Sequence, residues 1–232
     1  MKQDYKKYME NNISYDLKEH SLISPLDLGS PLFEPKIRLG VLASGNGSNF
    51  EYIIKSIQNN QLNAEITILI VNNPDCLAIK KAIKYKIPYV IINHRDCQSR
   101  LEHDMLVLKK LEDLSVELVV MAGWMRIVGE ELINRYINRL INIHPSLLPS
   151  FKGINAIQQA IDERVSISGC TVHYVKKEVD SGSIIIQAAV PIKEKDSKET
   201  LKKRIQHMEH IILPLAIAKV AMHIRTSFKG NK

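Results

Sequence analysis

The chain has 232 residues, 45% of them hydrophobic, and a formal net charge of +7. This length can bury a substantial core, whereas no apolar run approaches the roughly 20 residues of a membrane span, so we expect no membrane insertion. The basic residues are dispersed, and acidic residues interrupt their densest group at residues 193–204. We therefore expect a solvated helix face there and no nucleic-acid partner.

The first 35 residues show weak periodicity and mixed charge, and they include the turn-rich stretch SPLDLGSP at residues 24–31. We predict that residues 1–35 are a poorly ordered N-terminal extension and that residues 36–232 form the folded domain. The N-terminus lacks the apolar segment of a secretory leader, and the three cysteines have no metal-site spacing. A cytoplasmic location with reduced thiols is therefore expected.

From residue 36 onward, apolar β-branched segments alternate with segments of helical periodicity. We predict strands at residues 37–43, 66–71, 89–92, 116–121 and 140–143, and helices at residues 49–58, 77–85, 99–111 and 130–136. Further along we predict a helix at 156–162, strands at 171–175 and 184–191, and a final helix from residue 196 or 197. The pattern predicts a single-domain α/β fold with an open, mostly parallel twisted sheet and helices on both faces, similar to a Rossmann fold.

The first strand leads directly into a glycine-containing turn, SGNGSN at residues 44–49, and then into a helix. Such a turn lets backbone amides approach a phosphate at the helix N-terminus, although a tight turn without a ligand is the alternative. The second strand ends in Asn72 and Asn73 where a dinucleotide site needs an acid, and Phe50 occupies the third glycine position. This favours a ribose phosphate over a dinucleotide.

The fifth strand ends in NIHPSLLP at residues 142–149. Asn142 and His144 are two residues apart, so in an extended chain both side chains lie on one face. An amide can polarise a carbonyl oxygen while an imidazole exchanges a proton near neutral pH. Asp180, in a turn before the last strand, is a candidate carboxylate for the same site. A structural histidine and a turn-forming aspartate are the alternatives.

We predict no metal site, because His207 and His210 have helical spacing but lack the other ligands of a zinc motif. His173 alternates within a predicted strand and is left outside the catalytic set.

Five segments together resemble the phosphoribosylglycinamide formyltransferases: SGNGSN at 44–49, AGWMRIV at 122–128, NIHPSLLP at 142–149, TVHYV at 171–175 with DSG at 180–182, and QHMEH at 206–210. They follow the order and spacing of that family from about residue 38 to residue 224. The resemblance departs from the family at two positions, with Trp124 in place of a common Phe and Lys177 in place of a common acid.

The resemblance implies that residues 36–232 form a formyltransferase catalytic domain and assigns its site residues. The catalytic trio would be Asn142, His144 and Asp180. The substrate, glycinamide ribonucleotide, would be bound by Gly47, Ser48, Asn49 and Glu209. The folate would be contacted by Arg100, Met125, Arg126, Ile127, Val128 and Asn142.

The implied reaction transfers the formyl group of 10-formyltetrahydrofolate, the co-substrate, to the primary amine of glycinamide ribonucleotide in de novo purine (IMP) biosynthesis. Formyl-glycinamide ribonucleotide and tetrahydrofolate would be the products. No metal is implied, the partners would be the two small molecules, and the enzyme would be a monomer or a homodimer.

Three alternatives share part of this pattern. A methionyl-tRNA formyltransferase is expected to carry a further C-terminal domain, and a formyltetrahydrofolate hydrolase a regulatory domain ahead of the fold. A non-catalytic nucleotide-binding module would use the glycine turn but would have no reason to bring Asn142, His144 and Asp180 together in one cleft.

Overall fold

The structure is a computed structural model, and it describes residues 22–25 and 33–229. The strands are β1 (Leu22–Ser24), β2 (Ile37–Ala43), β3 (Ala64–Val71), β4 (Tyr89–Ile91), β5 (Leu118–Met121), β6 (Leu140–His144), β7 (Ile167–Tyr174) and β8 (Ile184–Pro191). The helices are α1 (Ser48–Gln58), α2 (Leu77–Tyr85), α3 (Arg100–Asp113), α4 (Glu130–Arg135), α5 (Ala156–Asp162) and α6 (Lys198–Lys229).

All eight strands belong to one sheet in the order β1-β8-β7-β6-β5-β2-β3-β4. The strands β6, β5, β2, β3 and β4 run parallel to one another, and β7, β8 and β1 are added by antiparallel pairing. The predicted open, mostly parallel sheet is confirmed.

The hydrophobic core has two parts, one on each face of the sheet. Side chains alternate along β2, so that Val41 packs with α1, α2 and α6 on one face, whereas Leu42 packs with α3 and α4 on the other. A strand that is covered on both faces must be apolar at nearly every position, which explains why residues 39–43 of β2 are all apolar and buried. The prediction of helices on both faces is confirmed.

The strand order reverses between β2 and β5, because the chain continues from β2 to β3 on one side and later from β5 to β6 on the other. In open α/β sheets, ligands bind at the carboxyl ends of strands beside such a reversal. The turn at residues 44–49, the segment after β5 and the loop after β6 all leave the sheet at this edge.

Strand β1 was not predicted, because it lies in the segment interpreted as an extension. Its three residues pair with Gln187, Ala188 and Ala189 at the outer edge of β8, and Ile23 is buried with only 3% of its surface exposed. Phe33 is also buried. Part of the predicted extension therefore packs on the domain, while residues 1–21 and 26–32 lie outside the described residues.

None of the helices within the described residues is both long enough and apolar enough to cross a membrane. Over the same residues, no group of three or more histidine, cysteine or acidic side chains is arranged to hold a metal ion. Cys76, Cys97 and Cys170 form no disulfide.

Candidate active site

A cleft of about 720 Å³ opens at the carboxyl edge of β2, β5 and β6. Its walls come from the glycine turn, the segment after β5, the end of β6, the loop before α5, the turn before β8 and the first turns of α6. Eleven of the twelve predicted site residues line it: Gly47, Ser48, Asn49, Met125, Arg126, Ile127, Val128, Asn142, His144, Asp180 and Glu209. The exception is Arg100, which is exposed at the start of α3 and does not line this cleft.

The three residues of the predicted catalytic trio meet in this cleft. Oδ2 of Asp180 lies 3.3 Å from Nδ1 of His144, and Nδ2 of Asn142 donates to Oδ1 of Asp180 over 3.4 Å. Asn142 and His144 are both on β6, as their spacing predicts, whereas the turn before β8 delivers Asp180. A cleft that brings an amide, an imidazole and a carboxylate together is suited to proton transfer beside a polarised carbonyl.

Both nitrogens of His144 face oxygen atoms. Nε2 donates to the backbone carbonyl of Phe151 over 2.8 Å, and Nδ1 faces the Asp180 carboxylate. A carbonyl can only accept, so Nε2 carries a proton in this arrangement, and a carboxylate partner favours a proton on Nδ1 as well. The geometry therefore suits a positively charged imidazolium.

Asp180 is held as a carboxylate by its neighbours. Burial raises its pKa, but contact with His173, the hydrogen bond from the Gly153 amide and the nearby His144 ring outweigh burial, so the pKa lies below its ordinary value. Asp180 remains ionised at neutral pH and can attract or accept a proton there.

A fourth polar side chain, that of His173, completes the cluster. It lies opposite Asn142 in the antiparallel pairing of β6 with β7, and its Nε2 is 3.2 Å from Asn142 Nδ2 and 3.5 Å from Asp180. Its Nδ1 faces the Tyr174 carbonyl at 2.8 Å, and because that carbonyl can only accept, Nδ1 carries a proton. His173 was not predicted as part of the catalytic set, because the pairing of β6 with β7 cannot be read from either strand alone.

The turn that carries Asp180 depends on a glycine. Asp180 has a positive φ of 48°, and a Cβ at Gly182 would lie 1.6 Å from the Tyr174 carbonyl oxygen. Any side chain at residue 182 would therefore force the turn away from β7, and Asp180 with it.

The glycine turn forms the opposite end of the cleft. Gly47, with a φ of 66°, directly precedes α1, and the next two side chains are held by α6: Ser48 accepts a hydrogen bond from Gln206 over 2.7 Å, and Asn49 donates to Glu209 over 2.9 Å. The first amides of a helix lack partners within the helix and attract anions. This end of the cleft is therefore suited to a phosphate group.

Glu209 is a buried carboxyl group beside that phosphate end, with 8% of its surface exposed. Burial raises its pKa from the ordinary 4.5 to about 7, although the Asn49 hydrogen bond and the charge of Lys202 act in the opposite direction. Near neutral pH it is therefore present in both protonation states, so that it can accept a hydrogen bond from a hydroxyl group or donate one to it.

The segment at residues 125–128 forms an apolar wall on the other side of the trio. Met125 and Ile127 are 78% and 54% exposed, whereas Val128 is buried. At the start of this segment, the Met125 amide donates a hydrogen bond to Ser44 Oγ over 2.9 Å. Exposed apolar side chains that line a cleft are suited to a flat heterocyclic ring.

Sequence comparison identifies relatives of this chain. The formyl transferase family profile matches residues 37–217. The phosphoribosylglycinamide formyltransferase of Bacillus subtilis is 37% identical over 183 residues, which cover 79% of this chain and 94% of that protein. The human trifunctional purine biosynthetic protein adenosine-3 is 42% identical over 186 residues, or 80% of this chain. The match spans only 18% of the human protein's length.

Solved structures of phosphoribosylglycinamide formyltransferases also align with this chain. The crystal structure of phosphoribosylglycinamide formyltransferase from Bacillus halodurans aligns with a TM-score of 0.77 and 39% identity, over 79% of this chain and 94% of that one. Glycinamide ribonucleotide transformylase 1 from Symbiobacterium toebii aligns with a TM-score of 0.78 and 38% identity, over 79% and 86% of the two chains.

Proposed function

This chain belongs to the formyl transferase family, and within it to the phosphoribosylglycinamide formyltransferases, and we propose that it transfers the formyl group of 10-formyltetrahydrofolate to the primary amine of glycinamide ribonucleotide. The products would be formyl-glycinamide ribonucleotide and tetrahydrofolate, in the de novo synthesis of purines. The meeting of Asn142, His144 and Asp180 between a phosphate end and an apolar wall carries this proposal.

The two ends of the cleft explain how two substrates would meet. The phosphate of the ribonucleotide would bind the amides of the glycine turn together with Ser48, and Glu209 would bind a ribose hydroxyl. The pteridine ring of the folate would lie against the 125–128 segment. The formyl carbon and the attacking amine then meet beside the trio. Because both molecules are already bound in this orientation, the transfer step avoids the entropy loss of a random encounter.

The chemistry of the trio fits the charges that develop in this reaction. As the amine attacks the formyl carbon, negative charge builds on the formyl oxygen and positive charge on the nitrogen. The Asn142 amide would exchange its long 3.4 Å contact with Asp180 for a hydrogen bond to the formyl oxygen, and the imidazolium of His144 would add positive charge beside it. Asp180 would keep His144 charged and accept the amine proton, directly or through a water molecule. The bond between the formyl carbon and N10 of the folate would then break, and the proton taken from the amine would pass to N10 to give tetrahydrofolate.

The remaining predictions are part of the same proposal. The partners would be the two small molecules, with no nucleic acid, and the enzyme would work in the cytoplasm as a monomer or a homodimer. The reaction as proposed needs no metal ion. The Arg100 side chain would contact the folate only if that molecule extended beyond the cleft.

The test is a formyl-transfer assay with purified protein, 10-formyltetrahydrofolate and glycinamide ribonucleotide, followed by absorbance. We expect turnover only when both substrates are present. In Asn142→Ala and His144→Ala, the turnover rate should fall by roughly a hundredfold to a thousandfold. His223→Ala, an exposed histidine on α6 outside the cleft, is the matched control and should keep full activity.

Two results would contradict the proposal. Deformylation of the folate at full rate without the ribonucleotide would indicate a hydrolase. A complete lack of turnover, in protein that still binds a ribose phosphate, would indicate a binding module.

A further inference from the structure

Helix α3 carries two adjacent buried polar side chains, His103 and Asp104, which the proposed reaction does not use. They are 0% and 2% exposed, on a helix whose other buried side chains are the apolar Val107, Leu108 and Leu111. A buried charged group is costly unless it is fully hydrogen-bonded, so the position of this pair calls for a physical reason.

The two side chains satisfy each other. Nδ1 of His103 lies 3.3 Å from Oδ1 of Asp104, and Nε2 of His103 lies 3.1 Å from the Ile92 carbonyl at the end of β4. Since that carbonyl can only accept, Nε2 carries a proton, and the His103 ring uses its second nitrogen for the contact with Oδ1 of Asp104. This leaves Oδ2 of Asp104 available for a different partner.

That partner is the backbone of the proposed folate wall. Oδ2 of Asp104 accepts a hydrogen bond from the Gly129 amide over 2.6 Å, directly after the 125–128 segment. The ring of His103 packs on Trp124, directly before the same segment, with 5.8 Å between ring centroids and 28° between ring planes. The pair therefore contacts the residues on both sides of the segment.

The segment needs such support. It has no regular secondary structure, and two of its four side chains, Met125 and Ile127, are largely exposed. The Met125 amide donates to Ser44, Val128 packs in the core on this face of the sheet, and His103 and Asp104 contact the residues on both sides of the segment.

We propose that His103 and Asp104 are positioning residues that set the folate wall of the cleft, so that they control folate affinity without contributing to the chemistry or to ribonucleotide binding. This inference rests on the proposed function, because it assigns the folate to the 125–128 segment. It differs from a purely structural role, since loss of general core stability would not affect one substrate selectively.

The test compares three variants with the wild type. Asp104→Leu removes the acceptor of the Gly129 amide, His103→Phe keeps a ring against Trp124 but loses both polar contacts, and Asp104→Asn retains an acceptor for Gly129. The control is Leu111→Ala, which removes core volume from the same helix at its far end, beside Val116 and Gly40. Thermal unfolding identifies variants that are destabilised to the same degree.

Two measurements separate the roles. Trp124 is the sole tryptophan of the chain, so its fluorescence reports directly on titration with tetrahydrofolate, independently of turnover. The KM for each substrate is then measured in the transfer assay.

We expect Asp104→Leu to weaken tetrahydrofolate binding and to raise the KM for 10-formyltetrahydrofolate by roughly three- to tenfold, the value of one lost hydrogen bond. The KM for the ribonucleotide should stay unchanged. His103→Phe should act in the same direction, and Asp104→Asn should restore affinity to within about twofold of the wild type.

An equal rise in both KM values, an unchanged folate affinity in Asp104→Leu, or an equal loss of folate affinity in Leu111→Ala would overturn the inference. Failure of the proposed function has a different signature, namely wild-type protein that binds tetrahydrofolate but formylates no ribonucleotide. Wild-type protein that does not bind tetrahydrofolate would contradict both.

Discussion

Nδ1 of His144 and Oδ2 of Asp180 lie 3.3 Å apart, although α5, β7 and their connecting loops separate the two residues in the chain. The contact depends on two further features, the Phe151 carbonyl that orients the imidazole and the Gly153 amide that orients the carboxylate. Both lie in the loop between β6 and α5, so this loop aligns the imidazole with the carboxylate.

Replacing Asp180 with Asn should abolish most of the activity while leaving the substrates bound. The variant keeps the size of the side chain but removes the negative charge that, in the proposed mechanism, keeps His144 protonated. We expect a fall in kcat of roughly a hundredfold or more, with the KM for both substrates changed by less than about threefold. Asp162→Asn, at an exposed position on α5, serves as the control. A rise in KM without a fall in kcat would assign Asp180 to binding.

Glu209 should make the stability of the protein depend on pH. Its pKa is raised from 4.5 to about 7, so the folded state favours the neutral form. The stabilisation that Glu209 provides is fully present below about pH 4.5 and is lost as the pH rises through 7, with a difference of about 3 kcal/mol. The Glu209→Gln side chain stays neutral at every pH. As the pH rises from 5 to 8, this variant should therefore become more stable relative to the wild type.

Urea unfolding of both proteins at the two pH values measures this effect. An equal change in the free energy of unfolding for variant and wild type would show that Glu209 does not carry the pH dependence.

The glycine turn should tolerate a side chain at one glycine but not at the other. Gly47 has a positive φ, and a Cβ there would lie 2.8 Å from the Cβ of Ala78, whereas a Cβ at Gly45 would have no atom within 4 Å. Gly47→Ala should therefore lower the free energy of unfolding by about 1–2 kcal/mol or more. Gly45→Ala should change it by less than about 0.5 kcal/mol. Denaturant unfolding of the two variants tests this, and equal losses would contradict it.

Strand β1 should contribute to stability but not to catalysis. Ile23 is buried at the outer edge of the sheet, whereas its neighbour Leu22 is 65% exposed. Ile23→Ala should lower the free energy of unfolding by about 2 kcal/mol or more, whereas Leu22→Ala should change it little. Since β8 and β7 separate β1 from β6, a distance of about 14 Å at ordinary strand spacing, kcat should be unchanged in both variants. A loss of kcat in folded Ile23→Ala would show that the edge strand is coupled to the site.

Local patterns predicted most of the elements because most of the strands and helices are long enough to show their own periodicity. The apolar runs of β2 and β3 and the spacing of α1 and α2 agree with the structure to within two residues. Strand β1 escaped prediction because it lies in a segment of weak periodicity and mixed charge, and its pairing with the edge of β8 cannot be read from that segment alone. Arg100 was assigned from resemblance alone, and its place on the surface of α3 leaves that role a prediction.

By itself, the sequence determined the order of strands and helices, the glycine turn ahead of α1, and the placing of Asn142 and His144 on one face of a strand, since these follow from interactions between residues close together in the chain. Only the tertiary structure decided that Asp180 and His173 join them, that Glu209 lies against Asn49, and that His103 and Asp104 support the segment after β5. These contacts depend on strand pairing and helix packing between distant segments, which bury polar groups together and so perturb the pKa of Asp180 and of Glu209. Local periodicity carries no information about which distant segments will meet in this way.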